Sequence, residues 1–392
     1  MRTVIERMPR MAAEPCPLDE AVGRVLAAPI VATRPLPGFD NSAMDGYAAR
    51  AAELPATLPV AFVVAAGDAQ PAEIPAGACV RIYTGAPLPA ALDTVVMQEN
   101  VTVGDDGRVT LPAQRIGDNV RRAGEDIAVG ETIFTAGTRL VPWQIGALAA
   151  LGVAQVPVAR KPRIAILATG DELVTVDVTP GPGQLVNSSA YALAALVREA
   201  GGEPVPLGIA PDEVEATTRM LEQALASDAV ITTGGVSVGD RDYVHAALAA
   251  AGVTLELYKV AMKPGKPFSF GVRPGSPVVP VFGLPGNPVS TLVAYELFLR
   301  PAILAMQGAA VPLRARATVQ LPAGFRKDAG RTQFVRAHVT REGENLVART
   351  HAKQGSAMLS SIIFCNALVE IPADATMLLP GATASAILLE AV

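Results

Sequence analysis

The sequence predicts a multidomain chain of mixed α/β and β class. Its centre is a doubly wound α/β domain, accompanied by a split helical domain, an inserted β domain and a C-terminal β barrel-like domain. Three observations predict this. Apolar strands alternate with helical patterns between residues 164 and 306, the signature of a mostly parallel sheet with helices on both faces. Short β-like runs punctuated by Gly and Pro fill residues 43–122 and return after residue 313. Helical spacing marks two segments on either side of the first β-rich stretch.

The elements follow in order. Residues 1–30 read as helix, with Leu18, Val22, Val25 and Leu26 near helical spacing. The run from Arg34 to Gly38 breaks that pattern. Strands are expected at 60–64, 78–83, 94–98, 101–103 and 109–111, with a hairpin turn at Gly104-Asp105-Asp106-Gly107. A helix is expected over 143–151, with Pro142 at its first position and Trp143 as a packing anchor. Beyond Lys161-Pro162, strands at 164–168, 205–209, 229–233, 254–260 and 278–282 alternate with helices at 188–200, 212–226, 242–251 and 288–306. The final strands are expected at 315–321, 333–340, 346–349, 367–371 and 385–389. The resulting domains are 1–30 with 124–158 (split helical), 31–123 (inserted β), 159–308 (α/β) and 312–392 (C-terminal β).

Half of the 392 residues are hydrophobic and 18% are charged, which supports large cores. The net charge of −5, with both signs interspersed, argues against nucleic acid as the main partner. The three cysteines are far apart, so neither a disulfide framework nor a thiolate metal site is implied. Charged residues break up the first segment, and the long apolar runs carry Gly and Pro. The chain is therefore expected to be cytoplasmic, without membrane association.

Two glycine-rich turns carry the strongest functional signal. One runs from Gly234 through Gly235, Ser237 and Gly239 to Asp242, and the other is Leu284-Pro285-Gly286-Asn287-Pro288. Each follows an apolar strand and leads into a helix, a geometry that presents backbone N–H groups to a phosphate. Lys263 and Lys266 flank a Pro-Gly turn between them and act as point charges. Gly170, Asp171 and Glu172 occupy a third strand end, and Asp242 a fourth position. Taken singly, such acids cap helices or sit in solvated loops. Converging on one sheet edge beside phosphates, they suit a divalent cation such as Mg²⁺. Asp45 lies in a polar string, Asp40 to Ala48, and Thr84 follows a strand as a hydrogen-bond donor. Ser237 and Ser290 lack the hydrolase elbow context. His245, His338 and His351 read as structural.

The ordered strings PLDEAVGRVLA, FDNSAMDGYA, RIYTGAPLP with VVMQE, RRAGEDI, ILATGDEL, TTGGVSVGDRDY, KPGKPFSFG, LPGNPVS and QGSAMLSSI together resemble the molybdopterin molybdenumtransferase family, the bacterial MoeA proteins and the gephyrin E domain. The resemblance spans nearly the whole chain. It implies an α/β domain of molybdopterin-binding type and an elongated homodimer. The cleft would lie between the α/β domain of one subunit and the β insertion of the other. The implied reaction inserts molybdate into adenylylated molybdopterin and releases AMP. It also implies transient contact with the molybdopterin adenylyltransferase and with acceptor molybdoenzymes. Carried over by position, Asp45, Glu172, Asp242, Lys263 and Lys266 are catalytic. Glu172, Asp212 and Asp242 hold the metal. Thr84, Gly170, Gly234, Gly235, Ser237, Gly239, Pro285, Gly286, Asn287 and Pro288 bind the pterin substrate. Asp126 shapes the cleft, and Arg331 with Ser356 stands at its mouth.

Two other functional classes fit parts of the pattern. An adenylyltransferase making the adenylylated pterin would carry similar glycine turns, but the additional segments favour the transferase. A non-catalytic scaffold would use the same architecture to bind peptide partners; the acidic set favours catalysis.

Overall fold

A computed structural model describes residues 2–68, 73–235 and 243–390. The α/β domain is built from β1 (Arg163–Thr169), α1 (Ser188–Glu199), β2 (Glu203–Ala210), α2 (Val214–Ala224) and β3 (Ala229–Thr233), followed by α3 (Tyr243–Ala250), β4 (Thr254–Tyr258), β5 (Ser269–Arg273), β6 (Val279–Leu284) and the long helix α4 (Pro288–Met306). The sheet order is β2-β1-β3-β6-β5-β4. The first four strands are parallel, whereas β5 and β4 run antiparallel at one edge. The sequence reading missed β5, whose Ser-Phe-Gly-Val-Arg run follows directly on the Lys-Pro-Gly-Lys turn. Strand order reverses between β1 and β3, the position at which such sheets open a crevice beyond their carboxyl ends.

Period-2 alternation along β1 sorts its side chains to two cores. Ile164 and Ile166 pack with Leu193, Val197 and Val293 beneath α1 and α4. Ala165 and Leu167 pack with Leu221, Ala224 and Leu248 beneath α2 and α3. Helix α4 is long and apolar enough to cross a membrane, but 83% of its apolar stretch is buried inside the protein. It is a core helix.

The amino-terminal segment differs from the helix expected over 1–30. Only Arg2–Glu6 is α-helical, and its Val4 joins the core of the α/β domain. Ala13–Pro17 is a strand, paired antiparallel with Gln155–Ala159. Leu26 is buried in a small core with Leu140, Leu148 and Val158. Pro9, Pro15 and Pro17 explain the difference: proline removes the amide donor and breaks a helix interior, and spaced apolar residues serve a strand equally well. The two halves thus join mainly through strands, with one helix, Pro142–Ala150, having Pro142 at its start. Trp143 is not a packing anchor, being 90% exposed. Leu148, about 140° further round the helix, is the buried residue instead.

The inserted unit is a six-stranded sheet in the order Thr94–Met97, Gly46–Ala49, Cys79–Ile82, Ala56–Val64, Arg108–Leu111 and Thr102–Val103. The Gly104–Gly107 turn closes the expected hairpin. The C-terminal domain is the expected β barrel: Thr332–Glu342, Asn345–Thr350, Arg316–Leu321, Ala382–Leu388 and Ala367–Ile371 follow one another, and the last pairs back to the first. Met262–Lys263 of the α/β region adds a short strand to it, parallel to Thr332–Gln333. Phe334, Leu368 and Ile387 share a core with β1 and α4. Arg314 reinforces the junction, donating to Glu296 at 2.7 Å and to Glu199 at 3.0 Å.

Asp228, before β3, ties the α/β domain to the segment preceding it. It accepts two bonds of 2.8 Å from Arg160 and one of 2.7 Å from the Arg163 N–H. Burial pushes this carboxyl up, but these donors outweigh it and hold the group below the usual aspartate value. A carboxyl depressed in the folded state stabilises the protein above its unfolded pKa, and that stability is lost as pH falls through the lowered value. Asp228→Ala should therefore cost about 1–2 kcal/mol at neutral pH, allowing for partial exposure. In urea unfolding across a pH series the gap from wild type should close on the acid side. A gap that stays constant with pH would refute the assignment.

Candidate active site

Three strand ends converge at the carboxyl edge of the sheet. Thr169 and Glu172 (at and after the end of β1), Thr233 and Gly234 (at and after the end of β3), and Gly286, Asn287 and Pro288 (after β6) line one cavity of about 520 Å³. Asn187, Ser188 and Ser189 at the start of α1 form another wall, and Ala357 and Leu359 of the C-terminal domain close it. The two glycine turns touch: a Cβ on Gly286 would lie 3.6 Å from the Gly234 Cα. Gly234 has a φ of +90°, and a Cβ there would lie 2.4 Å from the Thr169 carbonyl oxygen. Only glycine permits this approach of β3 to β1. At Gly170 a Cβ would lie 2.6 Å from the Glu172 carboxylate, so glycine leaves room for that side chain to fold back over the strand end. Gly235 lies against Val244.

Not every N–H expected to face a phosphate is open. The Gly234 N–H donates to the Leu284 carbonyl at 3.2 Å. In α4, Pro288 has no N–H and that of Val289 donates to the Ser356 carbonyl at 3.1 Å. Pro285 is held from within, its carbonyl accepting from Thr291 Oγ1 at 2.5 Å. The C-terminal domain thus caps the second turn through the backbone of Ser356, and the serine predicted for the cleft mouth adjoins Ala357 in the cavity wall. Ser237, Gly239 and Asp242 lie outside the described residues.

Asp212 stands at the same edge, its N–H donating to Asp171 Oδ1 at 3.1 Å. Glu172 is exposed just after β1, and carboxylates are the donors a hard divalent cation takes. Among the described residues no three acidic, histidine or cysteine groups form a metal-ready cluster. Lys263 and Lys266 are not in the walls of this cavity. Lys263 lines a second one, about 790 Å³, with Arg326, Lys327, Gln333 and Gln354. Lys266 is exposed, and its carbonyl accepts from the Val260 N–H. The segment 354–359 borders both cavities. Arg331 is exposed, its carbonyl bonded by Lys327. Asp126 is exposed and donates its N–H to Leu36.

The inserted domain holds a separate polar centre. Asp45 Oδ1 accepts from both the N–H and Oγ1 of Thr84, each at 2.8 Å. The Asp45 carbonyl accepts from the Gln98 N–H at 3.0 Å, and Arg81 donates to Gln98 at 2.5 Å. Three motif strings therefore meet at one aspartate. The Thr84 donors hold the Asp45 carboxyl below the usual range. Asp40 ties a fourth string to the group, accepting from the Ala123 N–H at 2.8 Å and from Arg122 at 2.6 Å.

Sequence reasoning missed several of these groups. Arg81 lies over the rings of Tyr47 and Tyr83 at about 5 Å. Asn187-Ser188-Ser189 reads as a helix start, and Asn187 does cap α1 through Ala190; the polar run at a strand-rich edge was the available signal. Lys259 has a φ of +65° beside the lysine turn, a conformation that non-glycine residues adopt mainly at turns and sites.

The fold and cavity define a class: an α/β protein with a cavity at the carboxyl edge of a parallel sheet, closed by a C-terminal β domain. Comparisons with known proteins make this specific. Residues 1–152 match the MoeA N-terminal region (domain I and II), 165–305 a probable molybdopterin binding domain, and 318–389 the MoeA C-terminal region (domain IV). A molybdopterin molybdenumtransferase 2 of Mycobacterium tuberculosis is 36% identical over 97% of this chain and 96% of its own length. A molybdopterin molybdenumtransferase of Haemophilus influenzae is also 36% identical, over 90% of this chain and 88% of its own. The crystal structure of a molybdopterin biosynthesis moeA protein from Pyrococcus horikoshii OT3 superposes with a TM-score of 0.85 at 32% identity, covering 99% of this chain and 97% of that one. The chain belongs to the MoeA family, the molybdopterin molybdenumtransferases of molybdenum cofactor biosynthesis.

Removing one of the two Thr84 donors should release Asp45. In Thr84→Val the hydroxyl is lost and the N–H kept, so the Asp45 pKa should rise toward the ordinary aspartate value in a carboxyl NMR titration. No movement would mean that the hydroxyl does not contribute.

Proposed function

We propose that this chain inserts molybdate into adenylylated molybdopterin at the cavity beyond β1, β3 and β6, with release of AMP. The observation that carries this reading is the meeting of Glu172, the Gly234 turn and the Gly286-Asn287-Pro288 turn in one cavity. The glycine turns give close backbone approach for a phosphorylated pterin. Lys263 and Lys266 lie outside the walls of this cavity and would offset negative charge on molybdate as it arrives and on any part of the substrate that reaches beyond those walls. Glu172 and Asp212, with Asp242, would hold Mg²⁺, which when bound neutralises phosphate charge. Glu172 would orient a water by accepting its hydrogen bond, and a molybdate oxygen through the cation it holds. Molybdate is taken up by the dithiolene sulfurs of the substrate, so no protein thiol is required; Cys16 and Cys79 are buried free thiols. The reaction is placed in the cytoplasm, with the pterin delivered by the adenylyltransferase and the product passed to acceptor molybdoenzymes.

The active unit in this reading is a homodimer. Among the described residues, none of the inserted β domain stands in the walls of the cavity, whereas Asp45 and Thr84 are motif residues of that domain. A partner subunit would bring them to the cleft.

The first test is AMP release from purified adenylylated molybdopterin with Mg²⁺, with and without molybdate. Molybdate-dependent release is expected, and Glu172→Gln should reduce it about 100-fold or more while leaving the unfolding midpoint unchanged. Full activity in that variant would overturn the site.

Mixing tests the dimer. Asp45→Asn and Glu172→Gln chains, each inactive alone, should on subunit exchange regain about a quarter of wild-type activity, because half of the dimers would carry one intact cleft. Absence of recovery despite demonstrated exchange would place both residues in the same subunit's site.

A further inference from the structure

We infer that a cavity at the junction of the α/β and C-terminal domains is a binding site for a small monocarboxylate with a branched or aromatic body. The cavity is about 330 Å³, within the range of small-molecule sites. It is distinct from the two cavities described above. Leu196, Leu292, Val293, Leu368 and Leu389 supply apolar walls.

Arg336 supplies the recognition. Its side chain lines this cavity and is 1% exposed. Nε donates to Ser361 Oγ at 3.0 Å and Nη2 to the Gly355 carbonyl at 3.1 Å. Nη1 is buried without a hydrogen-bond partner. Neither acceptor is charged, and Arg336 forms no ion pair with a carboxylate among the described residues. A guanidinium held away from water with its Nη1 unpartnered and no counter-ion carries a large desolvation cost. A ligand carboxylate meeting Nη1 would supply both the acceptor and the charge.

The other polar groups around the cavity narrow the class. Glu296 and Glu199 are engaged by Arg314, and Glu390 stands exposed at the rim beside Cys365. These acids repel a second negative charge, so a monoanion is favoured over a phosphate ester. Cys365 also lines the cavity, and burial pushes its thiol up, so it is protonated at neutral pH and is not the counter-ion.

The probes are 4-fluorobenzoate and its neutral analogue 4-fluorobenzyl alcohol, titrated into the full-length protein and followed by ¹⁹F NMR. The acid should bind saturably and about tenfold or more tighter than the alcohol. It should also slow alkylation of Cys365 by N-ethylmaleimide. Arg336→Gln should remove the preference for the acid. Because Arg336 also holds the 355–361 segment, Leu389→Trp provides a second variant that fills the cavity and leaves the guanidinium in place; it should abolish binding of both probes. Equal affinity for acid and alcohol, no saturable binding at millimolar probe, or binding unaffected by Leu389→Trp would each overturn the assignment. None of these readouts depends on molybdenumtransferase activity.

Discussion

The close approach of backbone to backbone at the carboxyl ends of β1, β3 and β6 is the constraint on which the rest of the site depends. Gly234 lies so near the Thr169 carbonyl that a Cβ would stand 2.4 Å from it, and Gly286 comes into contact with Gly234 in turn. Parallel pairing of these three strands brings their ends level, and glycine lets the turns fold inward without side chains filling the crevice. The cavity follows from that arrangement. Its polar lining comes from the residues just after the strands: Glu172 after β1, Asn287 after β6.

The C-terminal domain is part of the same mechanical unit. It contributes Phe334, Leu368 and Ile387 to the core beneath α4, and Arg314 is bound by two acids of the α/β domain. Ser356 then caps the start of α4 through its carbonyl. Arg336, buried among neutral acceptors, holds Gly355 and Ser361 in place. One short segment thus closes the cavity beyond β1, β3 and β6, while Arg336 and Cys365 line the interdomain cavity. The fusion explains why a β domain remote in sequence supplies walls to an α/β site.

Asp45 is organised differently. Its position comes from an antiparallel sheet in which Gly46 pairs with Ile82 and Met97, so that the strings around residues 45, 84 and 98 meet at the strand ends. Hydrogen bonds from Thr84 keep the carboxylate ionised and oriented. Asp45 and Glu172 thus lie in separate domains of the chain, and the proposed two-chain unit is what would bring them to one cleft.

Much of this was legible in the sequence because it rests on local rules. Alternating apolar strands and helices mark the α/β domain, glycine after a strand marks a turn, and the ordered strings mark the family. Where proline and helical spacing compete, as over residues 9–30, periodicity alone misleads, since apolar residues spaced for a helix can also be distributed between short strands. Trp143 was misread for a related reason: size suggests burial, but the direction a residue faces depends on which side of its helix meets the core. The antiparallel edge strand at Ser269–Arg273, the capture of the Val289 N–H by Ser356 and the uncompensated Arg336 were decided only by tertiary structure. Each depends on contacts between residues distant in the chain, and side-chain pattern carries no record of which backbone donors those contacts consume.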